Sequence, residues 1–398
     1  MTVRDRELPL VAAAIGVSAL GDWIAVFALA LRANQLWMGF GVSAIFIALW
    51  SPIVVLAGHA GLVVDRFETR TVAIIAALAQ CAVAAVLAFS TGSVVAIVGL
   101  TLLLGVGAAF GQSAEFALVP LLAGTRTIGK ANGLVESARG IGFAVGPVAG
   151  GALAAGVGTR SALLVDAATF LVIATALSRI TVRRRAAVAG GPVVRARDGL
   201  TLLFSERGLA IAMLAGAATL VFMSASIPGD FAYTTEDLGK SGLALGFVVT
   251  VWAVGMIAAS NLLAPRVPLY AVATVALAAA TTQGLSKFIA PFWMVFPFMV
   301  GCYVFGGLSH GVKNTLFRTL IHQQVEPARH GQAFAAYNGL RNGAELIALA
   351  GGGALVAAIG GAGTLRIAGG AAAAAGLVGV LLLSSSRAQP ATARPNES

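Results

Sequence analysis

About twelve apolar stretches follow one another along the chain, and they leave few ways for it to fold. They run approximately over 8–33, 40–64, 71–90, 94–122, 131–156, 159–180, 208–228, 242–264, 267–290, 292–320, 331–358 and 363–384. About 20 helical residues cross the hydrocarbon core of a bilayer. A backbone in lipid must satisfy its own N–H and C=O groups, and a helix does so within one segment. The lengths do not suit the roughly ten-residue alternating strands of a membrane barrel. Only 11% of the residues are charged and 58% are hydrophobic, whereas soluble domains carry about 25% charged residues. The reading is an all-α membrane protein of about twelve transmembrane helices. The first run is longer than the apolar region of a secretion signal, contains Asp22 and lacks a clear small-residue cleavage site, so it is read as a retained span.

The formal net charge is +10, and its placement matters more than its size. With twelve spans and both termini on the cytoplasmic side, 19 of the 26 Lys and Arg face inward and 5 face outward. Arg139 and Arg341 fall inside spans. Such asymmetry orients membrane proteins, so the basic excess points to anionic lipid rather than nucleic acid. The expected location is the cell (inner or plasma) membrane. Cys81 and Cys302 lie in separate spans with no C-x-x-C spacing, so neither a disulfide framework nor a metal site is expected.

The longest polar interval, 181–207, is basic and holds Gly190, Gly191 and Pro192. It divides the chain into an N-terminal six-helix bundle (1–180) and a C-terminal one (208–384), with a disordered tail over 385–398. Residues 198–206 could form a short interfacial helix. The halves echo each other. Asn132-Gly133-Leu134 opens NGLVESARGIGFAVGPVAGGAL, and Asn338-Gly339-Leu340 opens NGLRNGAELIALAGGGALV, 206 residues later. Repeats of this kind mark transporters.

Between the second and third runs the chain reads GHAGLVVDRFETRT. Gly61-x-x-x-Asp65-Arg66-x-x-x-Arg70 resembles the loop signature of the major facilitator superfamily. Glu68 departs from the family's glycine, and Thr69 from its base. The resemblance implies a cytoplasmic clasp. Asp65 would face the N-terminal end of the eleventh helix, whose dipole favours an anion, and Arg66 or Arg70 would seek Glu115. A second stretch, Gly142-x-x-x-Gly146-Pro147-x-x-Gly150-Gly151, resembles the antiporter motif of the same superfamily and implies export by exchange. Its physical basis is close helix packing and a proline bend. The phrases SALGDWIAVFALAL (18–31) and FAAYNGLRNGAEL (334–346) resemble the drug and siderophore exporter branch, of the enterobactin-exporter and macrolide-efflux type.

Ionisable residues inside spans are costly and usually functional. Asp22 lies near the middle of the first span and is the best single proton site. Arg341 and Glu345 are spaced i, i+4, and Glu136 and Arg139 i, i+3, at matching positions of the two halves. Each pair either neutralises itself or forms a polar cavity wall. Asp166 ranks below Asp22; Asn34, Gln112 and Gln283 could line a path. His59, His310, His322 and His330 show no ligand spacing. Gly124-Thr-Arg-Thr-Ile-Gly129-Lys130 matches a phosphate loop but ends in Ala131 and follows a helix, which excludes a nucleotide site. H-E-x-x-H and G-x-S-x-G do not occur, so the expectation is not an enzyme, without cofactor or metal.

The expected function is proton-coupled export of a small amphiphilic molecule (drug, siderophore or secreted metabolite) by a monomer working through alternating access. Its partners are the substrate, protons and membrane lipid. The alternatives are a lysophospholipid or other lipid-like transporter on the same fold, an importer, and a non-transporting receptor.

Overall fold

The computed structural model describes residues 3–123, 128–182, 196–326 and 329–388. Residues 183–195 of the 181–207 linker, the tail beyond 388 and residues 124–127 of the phosphate-loop look-alike lie outside them. The described chain is helical throughout. Its first half forms α1 (Val3–Leu36), α2 (Phe40–Val55), α3 (Ala57–Arg66), α4 (Thr69–Ala88), α5 (Val94–Leu122), α6 (Ile128–Gly156) and α7 (Thr159–Arg179). The short α8 (Ala196–Phe204) follows, close to the expected 198–206. The second half forms α9 (Arg207–Ala225), α10 (Ile227–Ala232), α11 (Gly242–Leu262), α12 (Val272–Ile289), α13 (Phe296–Gln324) and α14 (His330–Ala388).

Nine of these stretches are long and apolar enough to cross a membrane. The pair α2 and α3 adds a tenth, bent by 52° after Pro52. One of the nine, 332–385, runs for 54 residues, or about 80 Å at 1.5 Å per residue. That is more than twice a hydrocarbon core of about 30 Å. Gly360 divides it, with φ +71° where helical φ would be negative. The 29-residue α13 is long enough to span but carries Lys313, Asn314 and Arg318 on its way. With the bent pair, both parts of α14 and α13, the helices follow all twelve apolar runs.

Contacts divide the chain into two compact units. The first gathers 1–192, 227–253 and 349–363; the second gathers 193–226, 254–348 and 364–398. In the first, α1 is the central element and packs along α6 and α7, while α4 and α5 pack on α7 and α2. One apolar core joins Leu8, Val11 and Ile15 of α1 to Leu118, Leu122, Ile173 and Leu177. In the second, α12 packs between α13 and α9 over a core of Leu209, Met213, Leu316, Phe317 and Ile321.

Candidate functional site

The first unit holds a cavity of about 250 Å³. It is lined by Asp22 of α1, Glu115 of α5, Arg139 of α6 and Asp166 of α7, with Gln80 and Gln112 beside them. Trp23, Phe46, Trp50 and Phe170 supply an aromatic wall. Local sequence builds the site. Gly21 precedes Asp22 because α7 comes close there: a Cβ at that position would lie 2.9 Å from Oδ1 of Asp166. Asp166 is only 2% exposed, and Thr169 donates to its carbonyl at 2.8 Å. Glu115 and Arg139 form an ion pair, and Nε of Arg139 has no partner among the described residues. Charges in such a site must be paired or hydrated. Three carboxyl groups around one guanidinium therefore make a polar, water-accepting cavity with capacity for a cation or proton.

Several expected pairings are corrected. Glu115 is bonded to Arg139, not to Arg66 or Arg70. Arg139 thus reaches across to α5 rather than along α6, and Glu136 is exposed. Arg70 instead caps the end of α7, donating from Nη1 to Ile180 O at 2.7 Å and from Nη2 to Ser178 O. Glu7, buried, takes the next residue, accepting from Thr181 N and Oγ1 at 2.6 Å each. The charged loop and the start of α1 therefore anchor the beginning of the linker. Gly61 sits in α3 with open space where a Cβ would be, and Asp65 and Arg66 are exposed at the end of that helix. At Glu68 the backbone (φ −61°, ψ 116°) does not require the family's glycine. Its carboxylate accepts from Thr71 Oγ1 at 2.8 Å in the first turn of α4.

The antiporter-like stretch is a contact face. A Cβ on Gly142 would lie 2.7 Å from Leu20 N, and one on Gly150 2.6 Å from Ile24 O; Gly146 abuts Trp23. These glycines repeat every four residues and let α6 lie directly on the backbone of α1. Gly151 meets Gly242 of α11, and Pro147 lies against Gly246. Pro147 removes one backbone donor from α6; close by in the same helix, Ala144 O accepts from Thr250 Oγ1 at 2.6 Å.

In the second unit Arg341 bonds Glu345 at 3.1 Å, the expected i, i+4 pair. Arg341 also lines a small cavity with His310, Lys313, Asn314 and Tyr337. Sequence reasoning missed this group. His310 shows no ligand spacing, and a topological count of cations places Lys313 on the inward side and Lys287 on the outward side. Lys313 is 2% exposed inside α13, and Lys287 is 4% exposed with its Nζ 4.0 Å from the Tyr303 ring centroid. The signal was available, since a lysine inside a 29-residue apolar helix is itself a functional flag.

A bundle of membrane-crossing helices with buried ionic cavities is the architecture of a solute carrier. The chain belongs to the Major Facilitator Superfamily, whose profile matches residues 11–234, and it is a membrane transporter of that type. Its fold is that of solved transporters. A bacterial homologue of the iron transporter ferroportin in an inward-facing state superposes with TM-score 0.73 at 14% identity, covering 96% of this chain and 99% of that one. The nucleoside transporter NupG gives 0.69 at 14%, covering 98% and 100%. A bacterial homologue of the lysosomal transporter Spinster gives 0.73 at 12%, covering 97% and 98%. Among curated proteins, the lysophospholipid transporter LplT of Serratia proteamaculans (strain 568) is 32% identical over 151 residues. That match spans 38% of this chain and 37% of the relative's length.

Proposed function

We propose that the protein couples proton movement to export of a small amphiphilic molecule across the cell membrane by alternating access. The two halves, 1–180 and 208–384, act as the moving bodies, joined by the 181–207 linker. The observation that carries the reading is the cavity where Asp22, Glu115 and Asp166 gather around Arg139 beside aromatic side chains. Carboxyl groups inside a membrane bundle can exchange a proton with solvent in one state and hold it in another. The aromatic wall suits an apolar substrate body. Gly61, Asp65 and Arg66 keep the gating role that their loop implies. The α1–α6 glycine face supports exchange as the direction.

The test is flux in vesicles reconstituted with the purified chain, using a panel of fluorescent amphiphiles and siderophores, with and without a pH gradient. Gradient-driven uptake into these vesicles that an uncoupler abolishes, and that Asp22→Asn abolishes at equal reconstitution, is the expected result. Flux indifferent to both would overturn the proton assignment. A second reading, transport of a lysophospholipid, is favoured by the partial likeness to LplT. Flux that follows the headgroup of a lysolipid and ignores the pH gradient would select it.

A further inference from the structure

We infer that the small cavity of the second unit is a subsite for an anionic head, phosphate or carboxylate, on the transported amphiphile. This inference deepens the transport reading and rests on it. The cavity has about 30 Å³ of free space. A water needs roughly 10–15 Å³ of such space, so the cavity admits a head and not a molecular body. One side is polar, with His310, Lys313, Asn314 and Arg341. The other is apolar, with Met213 and Phe317 among its residues.

Lys313 carries the argument. It is 2% exposed and lies on the cavity wall together with Arg341. A buried ammonium is costly in lipid, and a bound anion offsets that cost. Arg341 adds a second cation, half satisfied by Glu345. His310 is held rigidly between two amides, Gln283 at 2.9 Å from Nδ1 and Asn314 at 2.8 Å from Nε2. An imidazole with one N–H can serve both only if one amide presents its oxygen. Nε2 of Gln283 faces Nδ1 and its Oε1 has no partner, so turning that amide over lets Gln283 accept from Nδ1–H while Asn314 donates to Nε2. The ring is therefore spoken for, and recognition falls to Lys313 and Arg341. Ammonium and guanidinium together are the donor set that phosphate and carboxylate groups prefer.

The experiment measures equilibrium binding of octyl phosphate, octanoate, octyl β-glucoside and inorganic phosphate to the full chain in phosphatidylcholine nanodiscs, with empty discs subtracted. Octyl phosphate or octanoate should bind at least about tenfold more tightly than octyl β-glucoside, or about 1.4 kcal/mol. Lys313→Gln should remove that preference and leave the glucoside unchanged, whereas Lys313→Arg should retain it. Arg341→Gln provides a second, independent loss should Lys313→Gln fail to fold. Tighter binding of octyl phosphate than of inorganic phosphate supports an amphiphile head as the occupant, and equal binding supports a free anion at the same subsite. Unchanged octyl phosphate affinity in folded Lys313→Gln, or no preference over the glucoside in the wild type, would overturn the inference. Head-selective binding without pH-driven flux would leave the subsite standing and sink the proton-coupled reading. Flux without head selectivity would do the reverse.

Discussion

Arg139 is the residue on which the first cavity depends. It is the single cation among the described residues lining a space shared by three carboxyl groups. Removing one partner of a buried ion pair leaves an uncompensated charge, at a cost of about 3–5 kcal/mol when burial is complete. The Arg139 side chain is 25% exposed, so a smaller loss is expected. Arg139→Gln should lower the melting temperature of the purified protein by several degrees, and adding Glu115→Gln should recover part of it. Additive losses in that double-mutant cycle would show that the pair is not coupled. Asp22, Arg341 and Glu345 were legible because a charge inside an apolar run is conspicuous. The partner of Glu115 was not legible. It lies 24 residues away on another helix, and sequence spacing reports neighbours along one helix only. Lys313 was hidden for a different reason. Reading positive charges as orientation signals takes a lysine out of the span that holds it, although the run 292–320 already enclosed it.

At the scale of the helix, the glycines of α6 differ in what surrounds them from the glycine of the charged loop. At Gly142, Gly146 and Gly150 the chain of α1 occupies the space a side chain would need. At Gly61 of α3 nothing lies within 4 Å of the missing Cβ. Overpacking a tight contact costs about 1–3 kcal/mol. Gly150→Ala should therefore destabilise the protein by that order, read as a lower melting temperature, and reduce flux. Gly61→Ala should leave the melting temperature within a degree or so. If it also suppresses flux, the glycine serves a state other than the one described. Equal stability losses in the two variants would contradict the packing account. The motif's spacing predicted this helix contact directly, because i, i+4 glycines form one stripe. The bend within the second span and the division of α14 at Gly360 were only partly legible. Apolar run length locates a crossing, but not the angle at which neighbouring elements force it to break.

At the scale of the molecule, topology follows from where the cations lie. Taking Lys313 and Lys287 into the protein interior changes the expected count from 19 inward and 5 outward to 18 and 4. The asymmetry survives the correction, and the turns on the two sides stay chemically distinct. The α3–α4 turn carries Arg66 and Arg70 around exposed Phe67. The α4–α5 turn, Ser90 to Ser93, has no cation of its own, and Gly92 there is exposed with open space around it. A positive potential gradient of this kind retains the basic turns on the cytoplasmic side. In a background where Cys81 and Cys302 are replaced by serine, Gly92→Cys should react with a membrane-impermeant maleimide in intact cells. Phe67→Cys should react only after permeabilisation. Because α4 joins the two turns by a single crossing of 20 residues, labelling of both from outside would mean that α4 does not span. The reverse pattern would invert the whole chain and place the linker outside.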